Sequence, residues 1–248
     1  MNEIWLGDCI ELMKDIPDNS VDMILCDLPY GITSNEWDKP IPFAPLWKQY
    51  RRIVKNNSAI VLTASQPFTS ALVMSNLKMF RYEWIWEKNM GSNFATTKYQ
   101  PMKEHENILV FSKTTPTYYP IMEERSLAGT KRRTHIVNAS NTGKRKGLNS
   151  MKDIDRGFIS ETRVPRSIQR FNRETGLHPN QKPVELFKYL IRTYTKENDL
   201  VLDNCAGSGT TGVACLVLNR KFILIEKKKE YFEGINQRIN DLKSGLLF

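Results

Sequence analysis

Apolar and polar positions divide this chain into two regimes. Seven short apolar runs, at residues 3–7, 21–26, 59–64, 82–86, 107–111, 200–202 and 221–225, are bounded by turn-forming residues and read as β-strands. Most are continuous rather than alternating, the pattern of parallel strands covered on both faces. Apolar residues at three- and four-residue spacing predict helices over residues 43–54, 67–77, 183–194 and 231–242. The second of these opens on a proline, which a first turn tolerates. Strands alternating with helices predict an α/β fold built on a doubly wound, mostly parallel sheet. The pattern ends near Ser112. Residues 114–176 are polar and basic, dotted with Gly, Asn and Ser, and carry no clear period. That is too long for an ordinary connection, so it reads as an insertion between residues 1–113 and 177–248.

Charge sharpens this division. The net charge is +9, yet its placement matters more than its size. Between Arg125 and Arg173 stand thirteen basic and three acidic residues, leaving 23 basic against 24 acidic elsewhere. All the excess positive charge therefore lies in one segment, the electrostatic footprint of a polyanion partner. A solvated surface stretch is the competing reading. The N-terminal stretch lacks a basic region followed by an apolar run, and no apolar run approaches bilayer length, so a cytoplasmic protein without a membrane partner is expected. Cys9, Cys26, Cys205 and Cys215 are scattered, with no C-x-x-C pair and only three histidines. No metal site is expected from that spacing, only packed, reduced thiols.

The first chemical candidate follows the run at 200–202. Asp203-Asn204-Cys205-Ala206-Gly207-Ser208-Gly209-Thr210-Thr211-Gly212 reads as a strand end, a glycine turn and a helix start, and Gly207 to Gly212 satisfies G-x-G-x-x-G. Glu226 lies nineteen residues beyond Gly207, after the next strand, where an acid can accept hydrogen bonds from ribose hydroxyls. A nicotinamide or flavin oxidoreductase is the rival from another class. Only thirty-six residues follow Gly212, too few for a full dinucleotide domain. Strands earlier in the chain must complete the cofactor fold.

The second candidate follows the run at 21–26. Asp27 falls at the carboxyl end of that strand, the edge where open α/β sheets bind ligands. Pro29 fixes the backbone and holds Leu28 extended. Tyr30 follows, and Gly31 permits a tight turn. A carboxylate, a carbonyl beside proline and an aromatic face suit an exocyclic base amine. Such an amine is a poor nucleophile because its lone pair is delocalised into the ring. Hydrogen bonds from both its protons, to Asp27 and to the Leu28 or Pro29 carbonyl, localise that pair, and Tyr30 can stack on a base taken out of the duplex.

These residues resemble the amino-methylating DNA methyltransferases of the N6-adenine and N4-cytosine type. Their usual tetrapeptide is Asp- or Ser-Pro-Pro-Tyr, and Asp27-Leu28-Pro29-Tyr30 departs from it at Leu28, a position that offers mainly backbone. Gly7-Asp8-Cys9 looks like the segment that contacts the cofactor's adenine, and His178-Pro179-Asn180-Gln181-Lys182-Pro183 like the His-Pro-x-Gln-Lys-Pro segment of the cofactor site. Asp203 to Thr211 looks like the cofactor loop, with Asn204-Cys205 for the usual Pro-Phe. Lys103-Glu104-His105-Glu106 is similar to a segment near the base pocket. The order, with catalytic tetrapeptide, basic segment and then glycine loop, resembles the circularly permuted beta group.

The resemblance implies a seven-stranded sheet of the S-adenosylmethionine-dependent methyltransferase type, with strand 3–7 beside strand 221–225. It makes residues 1–113 the catalytic half, 114–176 the target-recognition region and 177–248 the cofactor half of one domain. It implies S-adenosylmethionine as cofactor, held by Asp8, Cys9, Asp27 and Lys182, by Asp203, Asn204 and Cys205, and by Gly207, Gly209, Thr210 and Glu226. Catalysis falls to Asp27, Leu28, Pro29 and Tyr30. Double-stranded DNA is the partner, contacted by Lys131, Arg132, Arg133, Lys144, Arg145, Lys146, Arg163, Arg166 and Arg170. The leading Asp points to site-specific methylation of adenine N6, in a restriction-modification setting. A homodimer follows only by family analogy.

Several bland readings compete residue by residue. Asp27 could cap a turn, Tyr30 could be a core aromatic and Lys182 a surface lysine. Trp84 and Trp86 read as core, and Trp37 as a residue bordering a DNA cleft. Cytosine N4 or RNA as target, and a catalytically silent DNA-binding protein, are the alternative functions.

Overall fold

In the computed structural model the described residues are 2–33, 35, 38–125, 161–174 and 181–245. They form two compact units, residues 1–119 with 167–248 and residues 120–166. The smaller unit contributes a two-stranded antiparallel ladder, β6 (Glu123–Glu124) with β7 (Thr162–Arg163). Trp37, His178, Pro179, Asn180 and the six basic residues from Lys131 to Lys146 lie outside the described residues.

The larger unit is an α/β sheet of eight strands. They are β1 (Asn2–Leu6), β2 (Val21–Asp27), β3 (Val54–Ala64), β4 (Phe80–Ser92), β5 (Lys103–Phe111), β8 (Ile168–Phe171), β9 (Leu200–Asp203) and β10 (Lys221–Glu226), in the spatial order β1-β10-β9-β2-β3-β5-β4-β8. The left half is parallel from β1 to β3, whereas β5 runs antiparallel to both β3 and β4. All seven expected strands are present, and β1 pairs with β10 as expected. The eighth, β8, comes from the segment without period and pairs with β4 through Ile85 and Ile168. Its burial alternates between exposed and half-buried, so it gives no continuous apolar run.

Among the described residues, six helices accompany the sheet: α1 (Cys9–Leu12), α2 (Phe43–Ile53), α3 (Phe68–Ser75), α4 (Val184–Tyr194), α5 (Thr210–Val217) and α6 (Lys229–Lys243). The two-residue period of each strand sends alternate side chains to opposite faces. On one face Ile24 and Cys26 join Ile60, Leu62, Leu109 and Ile223, covered by Leu46, Trp47 and Tyr50 of α2 and Phe68 and Leu72 of α3. On the other, Met23 and Leu25 join Val61, Val110, Val201 and Leu224 beneath Leu186 and Leu190 of α4, Val213 of α5 and Ile235 of α6. Trp84 and Trp86 pack in this second core, as their strand predicts. Burial on both faces is why the runs are continuous, and each fully buried aliphatic side chain contributes about 1.5–3 kcal/mol.

This winding has a switch point. From β2 the chain crosses to β3 on one side, and from β9 to β10 on the other, so the crevice between the carboxyl ends of β9 and β2 is open to a ligand. Strands β2, β9 and β10 each end on a carboxylate, Asp27, Asp203 and Glu226. By strand parity all three continue the face that carries Leu25, Val201 and Leu224. The apolar rows of the core turn polar where the sheet meets that crevice.

Candidate active site

A cavity of about 1210 Å³ opens at these strand ends. It is lined by Asp8, Cys9, Asp27, Leu28, Pro29 and Tyr30, and equally by Lys182, Asp203, Gly207, Ser208, Thr210 and Glu226. Two corners that the sequence assigns to different molecules thus share one space, although about 170 residues separate them in sequence.

At the first corner Asp27 is held on both carboxylate oxygens. Oδ1 accepts from Tyr30 Oη at 2.8 Å and from the Thr63 hydroxyl; Oδ2 accepts from Lys182 Nζ at 2.5 Å. Thr63 stands opposite Asp27 on β3, so the β2–β3 register puts the hydroxyl there. Tyr30 stacks on Phe68 with centroids 5.3 Å apart, and Lys182 Nζ lies 5.6 Å from its ring centroid. Burial and the nearby Asp27 and Glu106 carboxylates push the Tyr30 phenol well above its ordinary range. It is a fixed donor rather than a proton source.

The turn after Tyr30 is locked by a residue the sequence did not single out. The Asp38 carboxylate accepts from the backbone N–H groups of Gly31, Ile32 and Thr33 at 2.8, 2.9 and 2.7 Å. Burial alone would raise its pKa, but those N–H groups and the Thr33 hydroxyl hold it below the usual carboxylate range. Gly31 has φ +69°, and a Cβ there would meet Pro40 Cγ at 2.5 Å, so the turn admits only glycine.

Behind Asp27 lies a second layer. Glu106 Oε1 accepts from Lys88 Nζ at 2.5 Å, and its Oε2 lies 3.5 Å from Lys182 Nζ. Burial works to raise the Glu106 pKa, yet Lys182 and Lys88 bring it down to about 2. Burial likewise works against the Lys182 ammonium, and Asp27 and Glu106 hold its pKa above the ordinary lysine value. The acids and cations balance, which is how such charges persist out of water. Sequence reasoning left Glu106 without a role and passed over Lys88 and Thr63. Lys88 and Glu106 sit on polar ends of β4 and β5 that no apolar run marks, and Thr63 is a single hydroxyl inside the apolar run of β3.

At the second corner Asp203 Oδ1 accepts from Cys205 N at 3.1 Å and its Oδ2 from the Thr211 hydroxyl. With no cation beside it, burial raises its pKa to about 6. Gly207 and Gly209 both have positive φ, +53° and +75°. Glu226 accepts from Gly207 N at 2.9 Å and Lys228 N at 2.8 Å, while burial lifts its pKa above the usual glutamate value. Asp8 caps α1 through Ile10 N at 3.0 Å and accepts from Lys227 Nζ at 3.1 Å. Burial opposes its ionisation, but these donors hold its pKa below the ordinary aspartate value. Asn204 lines the cavity, but its carboxamide oxygen accepts from Tyr50 Oη at 2.5 Å. Cys9 and Cys205 line it as free thiols, with Cys26 and Cys215 buried nearby or in the core.

Lys182 belongs to both corners. Its side chain reaches Asp27, and its carbonyl accepts from Thr210 Oγ1 at 3.3 Å, at the start of α5. The glycine loop, Asp8 and Glu226 line one side of this cavity and offer the carboxylate acceptors and approachable backbone that a nucleoside cofactor needs. Among the described residues no group of three or more His, Cys, Asp or Glu could hold a metal ion, and no helix is long and apolar enough to cross a membrane.

Three of the nine basic residues expected at DNA are described. Arg163 is paired with Glu123 at 2.9 Å within the smaller unit. Arg166 gives its backbone N–H to the same Glu123. Arg170 on β8 is exposed and donates to Glu87 at 2.8 Å.

Comparison with known proteins gives a consistent picture. The chain is 28% identical over 96% of its length to the type II methyltransferase M2.MboI of Moraxella bovis, covering 88% of that protein. It is 28% identical over 92% of its length to the DNA adenine methyltransferase YhdJ of Escherichia coli K12, covering 79% of it. Among solved structures, M1.HpyAVI in complex with SAM superposes with a TM-score of 0.63 at 25% identity, over 96% of this chain and all of that one. The cytosine-N4-specific PvuII DNA methyltransferase shares the fold, with a TM-score of 0.65 at 17% identity over 98% of this chain and 92% of its own. Residues 21–237 match the DNA methylase family of the N6/N4 type, and the chain belongs to that family.

Proposed function

We propose that this protein transfers the methyl group of S-adenosylmethionine to the N6 amine of adenine in double-stranded DNA, at a specific site. The observation that carries this reading is the shared cavity. The Asp27–Tyr30 corner and the glycine loop with Glu226 line the same space, so an amine acceptor and a nucleoside cofactor meet at the β9–β2 switch point. When bound, S-adenosylmethionine supplies an electrophilic methyl group on a sulfonium sulfur.

The protein's own part is positioning. Asp27 has about four lone-pair positions, and three are taken by Tyr30, Thr63 and Lys182, which leaves one on Oδ2 for an amine proton. The Leu28 or Pro29 carbonyl accepts the other proton. With both protons held, the nitrogen lone pair is localised and directed at the methyl carbon. Phe68 covers one face of Tyr30, so a base extruded from the duplex stacks on the opposite face. Glu226 would accept hydrogen bonds from the cofactor's ribose hydroxyls and Asp8 from its adenine amine, and Gly207 and Gly209 would let the backbone close on it. The basic segment between Arg125 and Arg173 tracks phosphates and carries target recognition. A cytoplasmic location goes with this role, and the type II methyltransferases among the relatives are in keeping with a restriction-modification setting.

Adenine is favoured over cytosine by the leading Asp27 and by the likeness to a DNA adenine methyltransferase. The deciding experiment incubates the protein with methyl-labelled cofactor and unmethylated duplex DNA, then digests the DNA to nucleosides. N6-methyladenine is the expected product. N4-methylcytosine alone transfers the assignment to the sister activity, and absence of label overturns methyl transfer to DNA.

A further inference from the structure

Lys182 was expected at the cofactor, yet its ammonium is buried between two carboxylates of the catalytic corner, with only 7% of the side chain exposed. We infer that Lys182, held by Glu106 and Lys88, is a positioning residue that fixes the Asp27 carboxylate for the target amine and ties its placement to the cofactor loop. This inference rests on the proposed methyl transfer to a base amine, of adenine or cytosine alike.

The geometry supports each link. Asp27 is oriented from two sides of its carboxylate: Oδ1 by Thr63 and Tyr30, Oδ2 by Lys182 at 2.5 Å. Without the third contact the carboxylate could turn about its Cβ–Cγ bond, since both remaining donors are on one oxygen. Lys182 in turn has Glu106 at 3.5 Å, and Glu106 is fixed by Lys88 at 2.5 Å across the β4–β5 hairpin. The network therefore crosses β2, β3, β5 and β4 and ends on the turn before α4. Through its carbonyl the same Lys182 meets Thr210, in the loop proposed to hold the cofactor. One residue thus sets the distance between acceptor and donor, and displacements near 1 Å at reacting atoms can lower rates about a hundredfold.

Charge explains why Glu106 is needed. A lone ammonium beside the acceptor would repel both a sulfonium and the positive charge that develops on the attacked amine. Glu106 offsets it, and Lys88 in turn compensates Glu106, so two acids and two cations remain balanced. Other titratable groups facing this cluster are Tyr30 beyond β2, Lys103 on β5 and Asp203 on β9.

The test uses the full chain with unmethylated duplex DNA at saturating labelled cofactor, and compares wild type with Lys182→Met, Lys182→Arg and the isosteric Glu106→Gln. Three quantities are read: the single-turnover rate between pH 5.5 and 9, the cofactor Kd by equilibrium dialysis, and the melting temperature. Lys182→Met is expected to lower the rate about a hundredfold and Glu106→Gln at least about tenfold, each with cofactor Kd within about threefold. The rate at the acid end of the range falls further in Lys182→Met than the rate at neutral pH, because the Glu106 carboxylate loses one of its counter-cations, and Lys182→Arg restores part of the rate and of the profile. A large rise in cofactor Kd with an unchanged rate at saturation makes Lys182 a cofactor ligand and overturns the inference. Glu106→Gln with wild-type rate and profile also overturns it, even if Lys182→Met fails to fold. A wild-type protein that labels no DNA breaks the proposed function itself, a separate result.

Discussion

Asp27 and Asp203 are the last residues of two adjacent strands, on the same face of the sheet and in the same cavity, yet they live differently. Asp27 keeps about a quarter of its side chain exposed and is met by a cation and two hydroxyls. Asp203 is 3% exposed and is met by one hydroxyl and one backbone N–H, with no cation. Under the proposed function, the first arrangement leaves an acceptor with a free lone pair for the target amine. The second spends both oxygens on the protein and serves to hold the glycine loop. If the proposed function holds, what separates a catalytic carboxylate from a structural one here is the company each keeps, not its place on the strand.

The most direct way to break this comparison is the same substitution at both positions. Asp27→Asn exchanges one acceptor for a donor beside Lys182 and leaves the cluster short of a negative charge. Transfer should fall by on the order of 10³-fold, with cofactor affinity little changed. An Asp27→Asn protein that transfers methyl groups at a tenth of the normal rate would remove the carboxylate from the mechanism.

At the cofactor corner the largest loss should come from backbone. Gly209 has φ +75°, and a Cβ there would lie 3.0 Å from Ile235 Cγ2 and 3.2 Å from Cγ1. Gly209→Val combines left-handed strain with overpacking against α6 and should cost about 4 kcal/mol in urea unfolding, with weaker cofactor binding. Unchanged stability would mean that the loop relaxes freely and that Asp203 has little to hold.

Both corners were legible in sequence for a reason that also limited the reading. Strands β2, β9 and β10 are apolar until their final acid, so the runs at 21–26, 200–202 and 221–225 ended one residue short of Asp27, Asp203 and Glu226 and pointed straight at them. Strands β3, β4 and β5 are longer than their apolar runs, 54–64, 80–92 and 103–111 against 59–64, 82–86 and 107–111. The missing ends of β4 and β5, at 87–92 and 103–106, are polar because they face the cavity, and they hold Lys88 and Glu106; the missing end of β3, at 54–58, lies at the opposite edge of the sheet. Asp38 was invisible for another reason. Its task is to collect three backbone N–H groups, and an acid in a polar loop carries no mark of that. Strand β8 was missed because an edge strand half-open to solvent needs no continuous apolar run.

Asp203→Asn sharpens the comparison through pH. The Asp203 carboxyl, raised to about 6 by burial, binds its proton more tightly in the fold than in the unfolded chain. Its contribution to stability is therefore full below about pH 4 and is lost as pH rises through about 6. The neutral amide escapes that loss, so the stability of Asp203→Asn relative to wild type should improve by up to about 3 kcal/mol between pH 4 and pH 7. Equal differences at both pH values would show that burial does not raise the Asp203 pKa in the fold.

The smallest effect lies outside both corners. Arg163 and Arg170 were both expected at DNA, but they differ in exposure. Arg163 has 29% of its side chain exposed and gives Nε and Nη2 to the Glu123 carboxylate, so a phosphate could reach it only by breaking a fitted pair. Arg170 has 81% exposed and uses Nε on Glu87, which leaves the rest of the guanidinium to solvent. An exposed pair of this kind is weak, and a phosphate competes with it readily. Arg170→Ala should reduce the slope of log affinity for duplex DNA against log salt by about one, and Arg163→Ala should leave that slope unchanged. Melting temperature and cofactor affinity should not move in Arg170→Ala, because the side chain touches neither corner. If Arg163→Ala lowers the slope and Arg170→Ala does not, exposure and pairing are poor guides to which arginines meet phosphate in this protein.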